Sequence, residues 1–399
     1  MRKLRILKIS HTAALASYRA RERALVSQFP VEMEVVTPKH WSHLGLEQED
    51  DSIQRFGIHR VQTIGTGNIP LFAFEPAPIA GLMRQFKPDI VDVHEEPYSV
   101  SGFESIALAR RFVPQASLLF YTAQNMLKRY PPPFKWTEQF VYRCAAAAYP
   151  CSAEAEQVLR RKGFRGITRV LPLGVDRAKF NPQVLTHDER RQLRGNVGLD
   201  GFVFGYFGRV EGCKGIQFLF ESMSMLPSDL QCSLAIVGSG GYRRSLESFA
   251  QSLGISQRVR WLGEKPASDM PRWISLCDAV VIPSLTTPTW KEQFGRVAVE
   301  AMACGVPVIA SDSGSLPEVI AHAGMVAPEA DPDKLKECLL RVMTDERLRQ
   351  LLIEEGLALV DQRYLWSRVA QQTFDLYLDI AGTNAATGPP ELVCQAHQG

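Results

Sequence analysis

Two basic side chains lie in a glycine-rich turn between an apolar segment and a helical one. The segment Phe202–Phe207 predicts a strand, and Gly208-Arg209-Val210-Glu211-Gly212-Cys213-Lys214-Gly215 follows it. Such a turn exposes backbone N–H groups at a helix N-terminus, where anions bind, and Arg209 and Lys214 would add two positive charges. The residue order differs from the Walker loop G-x-x-x-x-G-K-[ST]. The turn therefore predicts a phosphate or diphosphate site, with a generic turn carrying two surface bases as the alternative.

Two glutamates follow a later strand candidate. After Ala279–Pro283 a loop carries Glu292, a helix is predicted to begin near Phe294-Gly295, and Glu300 lies within that helix. Eight helical residues span about 12 Å, which is too far for the two carboxylates to share a proton. The spacing suits one extended ligand, with Glu292 at sugar hydroxyls, helix amides at phosphates and Glu300 at a second hydroxyl pair such as a ribose. Taken singly, each glutamate could equally be a solvated or capping residue.

Polar residues also end two strand candidates in the first half of the chain. Asp89–Val93 leads to His94-Glu95-Glu96-Pro97, and Ser117–Tyr121 leads to a polar stretch containing Thr122, Gln124 and Asn125. A lone histidine is often structural, but a position at a strand end favours a functional role. We therefore expect His94 and the three polar side chains to contact a bound ligand.

The elements that must position these residues alternate along the whole chain. Short apolar runs and amphipathic segments follow one another in both halves, which is typical of parallel sheets with crossover helices. We therefore predict an α/β protein of two Rossmann-like, doubly wound domains, with a hinge near 173–200 and ligands in an interdomain cleft at the carboxyl ends of the strands. The predicted boundaries are 1–175 with about 365–382 for the acceptor-binding domain, 176–364 for the donor-binding domain, and 383–399 for a flexible tail. The helix near Trp366–Ile380 is expected to cross back and pack on the first domain.

Composition narrows the class of protein. The 399 residues are 45% apolar and 22% charged with a net charge of +2, and no apolar run reaches the roughly 18 residues of a membrane span. The eight cysteines form no C-x-x-C pair, which favours inert thiols in a reducing cytoplasm.

Residues 1–30 hold seven basic side chains and one acidic one. We interpret them as a solvated basic face, or as one that meets a phosphorylated acceptor or anionic lipid at the inner face of the membrane. Nothing indicates nucleic acid.

The motifs together resemble a known family. E-Q-F-G-R-V-A-V-E-A-M-A-C-G-V-P-V-I-A-S, which runs from Glu292 and includes Glu300, looks like the signature of the family 4 retaining glycosyltransferases of GT-B fold. Four further stretches match in order, namely Pro172–Asp176, Gly208–Gly215, Val237–Gly240 and Ser313–Glu318. The resemblance implies a hexosyltransferase-like enzyme that moves a sugar from a nucleotide diphosphate-sugar to an acceptor hydroxyl, with no metal and no cofactor beyond the donor, in polysaccharide, glycolipid or glycoconjugate synthesis.

The resemblance also implies roles for individual residues. Lys214 and Arg209 would hold the donor diphosphate, Glu292 would contact the transferred sugar, and Glu300 would bind the ribose. Further donor contacts are expected at Gly238 and at backbone amides near Gly295, Arg296 and Val297. His94 lies in an H-E-x-P pattern similar to the histidine segment of relatives, which contacts the transferred sugar or acts near the acceptor. We assign Thr122, Gln124 and Asn125 to acceptor hydroxyls. One departure is the loop after the first strand, where many relatives have a Gly-Gly pair and this chain has Ser10-His11-Thr12. We assign His11 to the acceptor side.

Other functions remain open from the sequence. A sugar-nucleotide 2-epimerase has the same two domains, and the missing Gly-Gly pair leaves room for a non-catalytic subunit that binds a nucleotide sugar. A metal-dependent transferase would want Asp-x-Asp, and the sole match is Asp331-Pro332-Asp333, where Asp331 is interpreted as a helix cap before Pro332. A glycoside hydrolase would need two carboxyl groups about 5–10 Å apart, which Glu292 and Glu300 do not suit.

Overall fold

A computed structural model describes residues 2–41 and 55–383 of the chain. The chain divides into two compact units. The first comprises 1–150, 158–171 and 369–399, and the second comprises 151–157 and 172–368. The tail predicted for 383–399 lies outside the described residues from position 384 onwards.

The first unit is built on a seven-stranded parallel sheet. Its strands follow the order β3-β2-β1-β6-β7-β8-β9. They are β1 (Leu4–Ile9), β2 (Val31–Pro38), β3 (Gly57–Val61), β6 (Ile90–Val93), β7 (Ser117–Thr122), β8 (Ala147–Pro150) and β9 (Ile167–Thr168). Two short strands, β4 (Thr63–Ile64) and β5 (Ala73–Phe74), pair antiparallel beside it. The central strands are buried on both faces, as parallel sheets require.

Helices cover both faces of this sheet. They are α1 (Ala20–Gln28), α2 (Pro76–Phe86), α3 (Val100–Phe112), α4 (Phe134–Cys144) and the second half of α5 (Ala153–Arg161), whose first half belongs to the second unit. One apolar core joins the sheet to α2 and α3, and a second core lies on the opposite face. The last helix, α14 (Trp366–Thr383), contributes to that second core through Phe374, Tyr377 and Ile380. Phe374 stacks on Phe29 with ring centroids 4.5 Å apart. The predicted return of the last helix to the first domain is therefore confirmed.

The second unit has a six-stranded parallel sheet in the order β12-β11-β10-β13-β14-β15. Its strands are β10 (Phe202–Phe207), β11 (Cys232–Val237), β12 (Val259–Gly263), β13 (Ala279–Ile282), β14 (Val308–Ser311) and β15 (Gly324–Ala327). Its helices are α6 (His187–Val197), α7 (Ile216–Ser224), α8 (Arg243–Ser252), α9 (Met270–Ser275), α10 (Arg296–Ala303), α11 (Leu316–Ile320), α12 (Pro332–Thr344) and α13 (Glu346–Leu359). The predicted doubly wound α/β fold is confirmed in both units.

The sequence pattern does not predict two strands of the first sheet. Strand β8 lies in an alanine-rich run whose local preference is helical, and burial of Ala147 and Ala148 in the sheet overrides that preference. Strand β3 is an edge strand with His59 and Arg60 among its residues, so it lacks a clear apolar run. Among the described residues, none of the helices combines the length and the apolarity needed to cross a membrane.

Candidate functional site

The strand order of each sheet identifies one edge where ligands bind. In the second sheet β10 lies between β11 and β13, so the connections after β10 and β13 leave towards opposite sides. Open α/β sheets bind ligands at the carboxyl ends of strands beside such a switch point. The turn Gly208–Gly215 follows β10, and the loop Pro283–Gly295 follows β13. The second-domain residues singled out by their chemistry therefore lie at the expected edge.

Lys214 and Glu292 form the centre of this edge. Lys214 Nζ lies 2.8 Å from Glu292 Oε2, and the two side chains are 15% and 14% exposed. Ser284 Oγ donates to the same carboxylate oxygen at 2.8 Å. The ammonium group also lies 4.2 Å from the ring centroid of Trp290, a cation–π contact. One cation and one carboxylate are thus held together, largely out of solvent, with fixed partners.

The backbone brings the turn against the loop after β13. Leu285 N donates to Cys213 O at 2.8 Å. Gly215 has a positive φ of 68°, and an added Cβ would lie 1.8 Å from Pro283 O. Only glycine fits at this crossing, because any side chain would push Lys214 away from the loop that carries Glu292.

Arg209 and Gly238 lie at the same edge but do not join the Lys214 pair. Arg209 is 63% exposed and forms an ion pair with Glu211 at 2.8 Å, while its carbonyl accepts from Tyr206 Oη at 2.6 Å. Gly238 follows β11, and an added Cβ would lie 1.9 Å from Gly208 O. The structure therefore leaves the Arg209 guanidinium in solvent and gives Gly238 a role in bringing two turns together.

Helix α10 begins at Arg296, one residue after the predicted start. Gly295 precedes it in the left-handed conformation, with φ of 79°. The first-turn N–H groups, including those of Arg296 and Val297, have no carbonyl partner within the helix, which is the usual basis of an anion site. Glu292 therefore lies in the loop before the helix, and Glu300 lies one turn inside it.

Glu300 is buried and paired along its own helix. Its Oε1 lies 2.9 Å from Arg296 Nε, an i,i+4 ion pair. Burial raises the pKa of the Glu300 carboxyl, although the neighbouring guanidinium opposes the shift. The guanidinium of Arg296 thus offsets part of the burial penalty of the Glu300 carboxylate, and ribose binding by Glu300 stays a prediction.

The first unit has a corresponding switch point between β1 and β6. His94 follows β6, and its ring stacks on Tyr121 with centroids 4.0 Å apart. Its Nδ1 lies 3.1 Å from Tyr149 Oη. Burial lowers the pKa of His94 well below its ordinary value, and the cations Lys8 and Arg21 lower it further. The imidazole is therefore neutral at physiological pH.

His11 follows β1 at the same edge. Glu95 accepts from the His11 backbone N at 2.6 Å and contacts its Nδ1 at 2.7 Å. The ring packs between Trp41 and Phe72, with centroids at 4.8 and 5.4 Å. Burial lowers the pKa of His11, but the Glu95 carboxylate outweighs it, and the net shift is upwards. The loop that replaces the Gly-Gly pair thus brings a histidine with a carboxylate partner to this position.

The three polar residues assigned to the acceptor lie at the end of β7 or just after it, and they already have partners. Thr122 Oγ1 donates to Glu96 Oε2 at 2.7 Å, Gln124 Nε2 donates to Tyr130 Oη at 2.9 Å, and Asn125 is buried. Burial raises the pKa of Glu96 to about 7, although the N–H of Ala123 and the Thr122 hydroxyl oppose it. These contacts order the segment, and acceptor binding by its side chains stays a prediction.

A buried charge cluster beneath His94 went unrecognised in the sequence. Lys8 Nζ lies 2.8 Å from Glu22, Arg21 Nη2 donates to Asp92 at 2.8 Å, and Lys8 lies 3.8 Å from Asp92. Each of these side chains is less than a tenth exposed. The available signal was Asp92 itself, a charge inside the otherwise apolar strand β6.

This cluster corrects one expectation. The interpretation of the seven cations of residues 1–30 as a solvated basic face is wrong for Lys8, Arg19 and Arg21, because all three are buried. A buried charge is retained only when it is paired or hydrogen-bonded, and Lys8 and Arg21 satisfy this through Glu22 and Asp92. These three positive charges therefore cannot belong to a surface that meets anionic lipid.

Two findings bear on metal sites. Asp331 accepts from Lys334 N at 2.9 Å and caps α12, with Pro332 at the first helical position, so the predicted capping role is confirmed. No group of three or more His, Cys, Asp or Glu side chains that could hold a metal ion occurs in the part of the chain that the structure describes.

Both halves of the chain match families of known proteins. Residues 23–179 match Glycosyltransferase Family 4, and residues 189–358 match Glycosyl transferases group 1. The uncharacterized glycosyltransferase MJ1607 of Methanocaldococcus jannaschii is 32% identical over 197 residues, which are 48% of this chain and 49% of that protein. A D-inositol 3-phosphate glycosyltransferase of Corynebacterium jeikeium is 30% identical over 222 residues, 53% of this chain and 52% of the relative. The matches thus span about half the length of these curated relatives.

The fold is shared with solved structures. Anabaena HepE in complex with UDP aligns with a TM-score of 0.75 at 19% identity, over 94% of this chain and 100% of HepE. HepE has also been solved with UDP-glucose, with a TM-score of 0.72. At this identity the likeness shows the fold alone. Residues 23–179 therefore resemble the Glycosyltransferase Family 4 domain and residues 189–358 the Glycosyl transferases group 1 domain, and the two-domain α/β fold matches that of GT-B structures.

Proposed function

We propose that the chain is a retaining, metal-independent glycosyltransferase that moves a sugar from a nucleotide diphosphate-sugar to an acceptor hydroxyl. The observation that carries the proposal is the Lys214–Glu292 pair at the carboxyl edge of the second sheet. It sets a cation suited to a diphosphate beside a carboxylate suited to sugar hydroxyls. The names of the matched families and relatives support the same class of reaction.

The chemistry follows from where charge develops. When the bond from the anomeric carbon to the diphosphate breaks, negative charge grows on the leaving oxygen. Lys214 and the N-terminus of α10 would stabilise it, an effect strengthened where water is excluded. The acceptor hydroxyl would form its bond on the face that the diphosphate leaves and pass its proton to the departing phosphate. We therefore favour front-face displacement over a covalent glycosyl-enzyme intermediate.

The donor is identified by stabilisation and turnover. Of a panel of uridine, guanosine and adenosine diphosphate sugars, the true donor at 100 times its Kd should stabilise the protein by about 2.7 kcal/mol in thermal unfolding. With an acceptor present, nucleoside diphosphate should be released, and NMR of the product should show the anomeric configuration of the donor. Activity abolished by EDTA and restored by Mg²⁺ or Mn²⁺ would contradict the metal-free mechanism, and an inverted anomer would contradict retention.

We also propose a lipid-linked acceptor at the cytoplasmic side of a membrane. The segment 127–136 carries two exposed apolar side chains, Leu127 at 54% and Trp136 at 64%, beside Lys128, Arg129 and Lys135. Exposed tryptophan next to basic residues suits the headgroup region of anionic lipid. This interpretation replaces the larger basic face, since Lys8, Arg19 and Arg21 are buried.

Vesicle co-sedimentation tests this surface. We expect the protein to sediment with anionic vesicles at low salt, to be released at high salt, and to bind less when Trp136 is changed to serine. Neutral vesicles are the control, because they offer no charge attraction. Equal, negligible sedimentation with both vesicle types at low salt would leave a transferase without a lipid surface.

A further inference from the structure

The His94 ring is held by a buried chain of hydrogen bonds. Among the described residues its only hydrogen bond joins Nδ1 to Tyr149 Oη, at 3.1 Å. The same hydroxyl donates to Asp92 Oδ1. Asp92 Oδ2 accepts from Tyr377 Oη at 2.7 Å and from Arg21 Nη2 at 2.8 Å. These hydrogen bonds therefore connect α14 and α1, through strands β6 and β8, to the imidazole at the sheet edge.

The charges fix the direction of each bond. Burial raises the pKa of Asp92, but Lys8, Arg21 and the two phenols outweigh it, and the net shift is downwards. An ionised carboxylate only accepts hydrogen bonds. Burial and the Asp92 carboxylate raise the pKa of Tyr149 well above its ordinary value, so the phenol keeps its single proton. That proton goes to Asp92, and the Tyr149 oxygen is left to accept from His94.

One tautomer of His94 satisfies this chain. A neutral imidazole carries one N–H, and Tyr149 can receive it only from Nδ1. We propose that Asp92 and Tyr149 are positioning residues that fix His94 as the Nδ1–H tautomer, leaving Nε2 as a hydrogen-bond acceptor. A bound hydroxyl would then donate to Nε2, whereas an acceptor-only group such as fluorine could not replace it. The use of Nε2 by a substrate rests on the proposed function, but the tautomer does not.

The tautomer is directly measurable. The full-length protein, labelled with nitrogen-15 only in histidine, is examined by NMR at neutral pH, and His94→Gln identifies the His94 signals among those of the eight histidines. We expect a pyrrole-type Nδ1 and a pyridine-type Nε2. The reverse assignment in the unmodified protein would overturn the proposal without the need for any variant.

Two phenylalanine variants separate positioning from a general effect on the buried charges. Tyr149→Phe removes the acceptor for Nδ1–H, so the Nε2–H form should become populated. Tyr377→Phe removes a hydroxyl from the same carboxylate but leaves the Tyr149 contact, so the Nδ1–H form should persist. A Tyr149→Phe spectrum identical to that of the unmodified protein would also overturn the proposal.

Activity is a second and separate readout. If His94 acts as proposed, Tyr149→Phe should lower kcat/KM by about 10-fold, the effect of one well-placed hydrogen bond, with Tyr377→Phe affected less. A protein without transferase activity would still show the tautomer, so the failure of the proposed function is distinguishable from the failure of this inference.

Discussion

Changing Lys214 to alanine is expected to lower kcat by at least about 100-fold, the scale of losing one preorganised transition-state contact. In the structure the Lys214 side chain is 15% exposed, and its ammonium is held by Glu292 and by the face of Trp290. A cation fixed in this way does not reorganise as charge grows on the leaving diphosphate, so its effect should fall mainly on turnover. Steady-state release of nucleoside diphosphate, with donor and acceptor both saturating, measures it.

Two variants isolate the charge of Lys214. Lys214→Met keeps the aliphatic stem beside Trp290 and should lose as much turnover as Lys214→Ala. Lys334→Ala removes a lysine whose side chain is 54% exposed and paired with Glu337 on α12, and it should leave kcat unchanged. Near-normal turnover for both Lys214 variants would remove the diphosphate role from this residue.

The second half of the fold was readable from the sequence because its strands are short apolar runs. Phe202–Phe207 and Cys232–Val237 are buried along nearly their whole length, and the first of them has the predicted bounds. The strands of the first half were harder to predict. Ala147–Pro150 has the composition of a helix end, and it becomes a strand only because it pairs with β7 and β9. Pairing between distant segments is a tertiary effect that local propensity does not contain.

The candidate site also has features that the sequence predicts and features that it does not. Residue type and position after a strand were enough to single out Lys214 and Glu292, but they are 78 positions apart and nothing in their spacing predicts the ion pair. For Lys8 and Arg21 the sequence suggests the wrong environment, because their charges predict exposed side chains and both are buried. A count of charges in the sequence does not show which side chains are buried. Lys8 is neutralised by Glu22 and Arg21 by Asp92, and each partner lies in a different segment of the chain.

The second large effect is expected at Glu292. Its carboxylate receives Lys214 Nζ and Ser284 Oγ on one oxygen, Oε2. The Glu292 carboxylate would bind hydroxyls of the transferred sugar, and it also keeps the Lys214 ammonium in place. Glu292→Ala removes both contributions, so we expect kcat to fall by at least about 100-fold. The same release assay measures it, with thermal unfolding to check that the variant is folded.

Glu300→Ala is the matched control, because it removes a second carboxylate from the same region with a different expected role. Glu300 lies inside α10 and is paired with Arg296, where it would bind a ribose that keeps its contacts from ground state to transition state. Uniform binding of this kind changes KM for the donor and leaves kcat within a few-fold. If Glu292→Ala raised only KM, or if Glu300→Ala lowered kcat as strongly as Glu292→Ala, the division of labour between the two glutamates would be wrong. A fall in kcat at Glu292 with a rise in KM at Glu300 would place the transferred sugar at the loop after β13 and the nucleoside along α10.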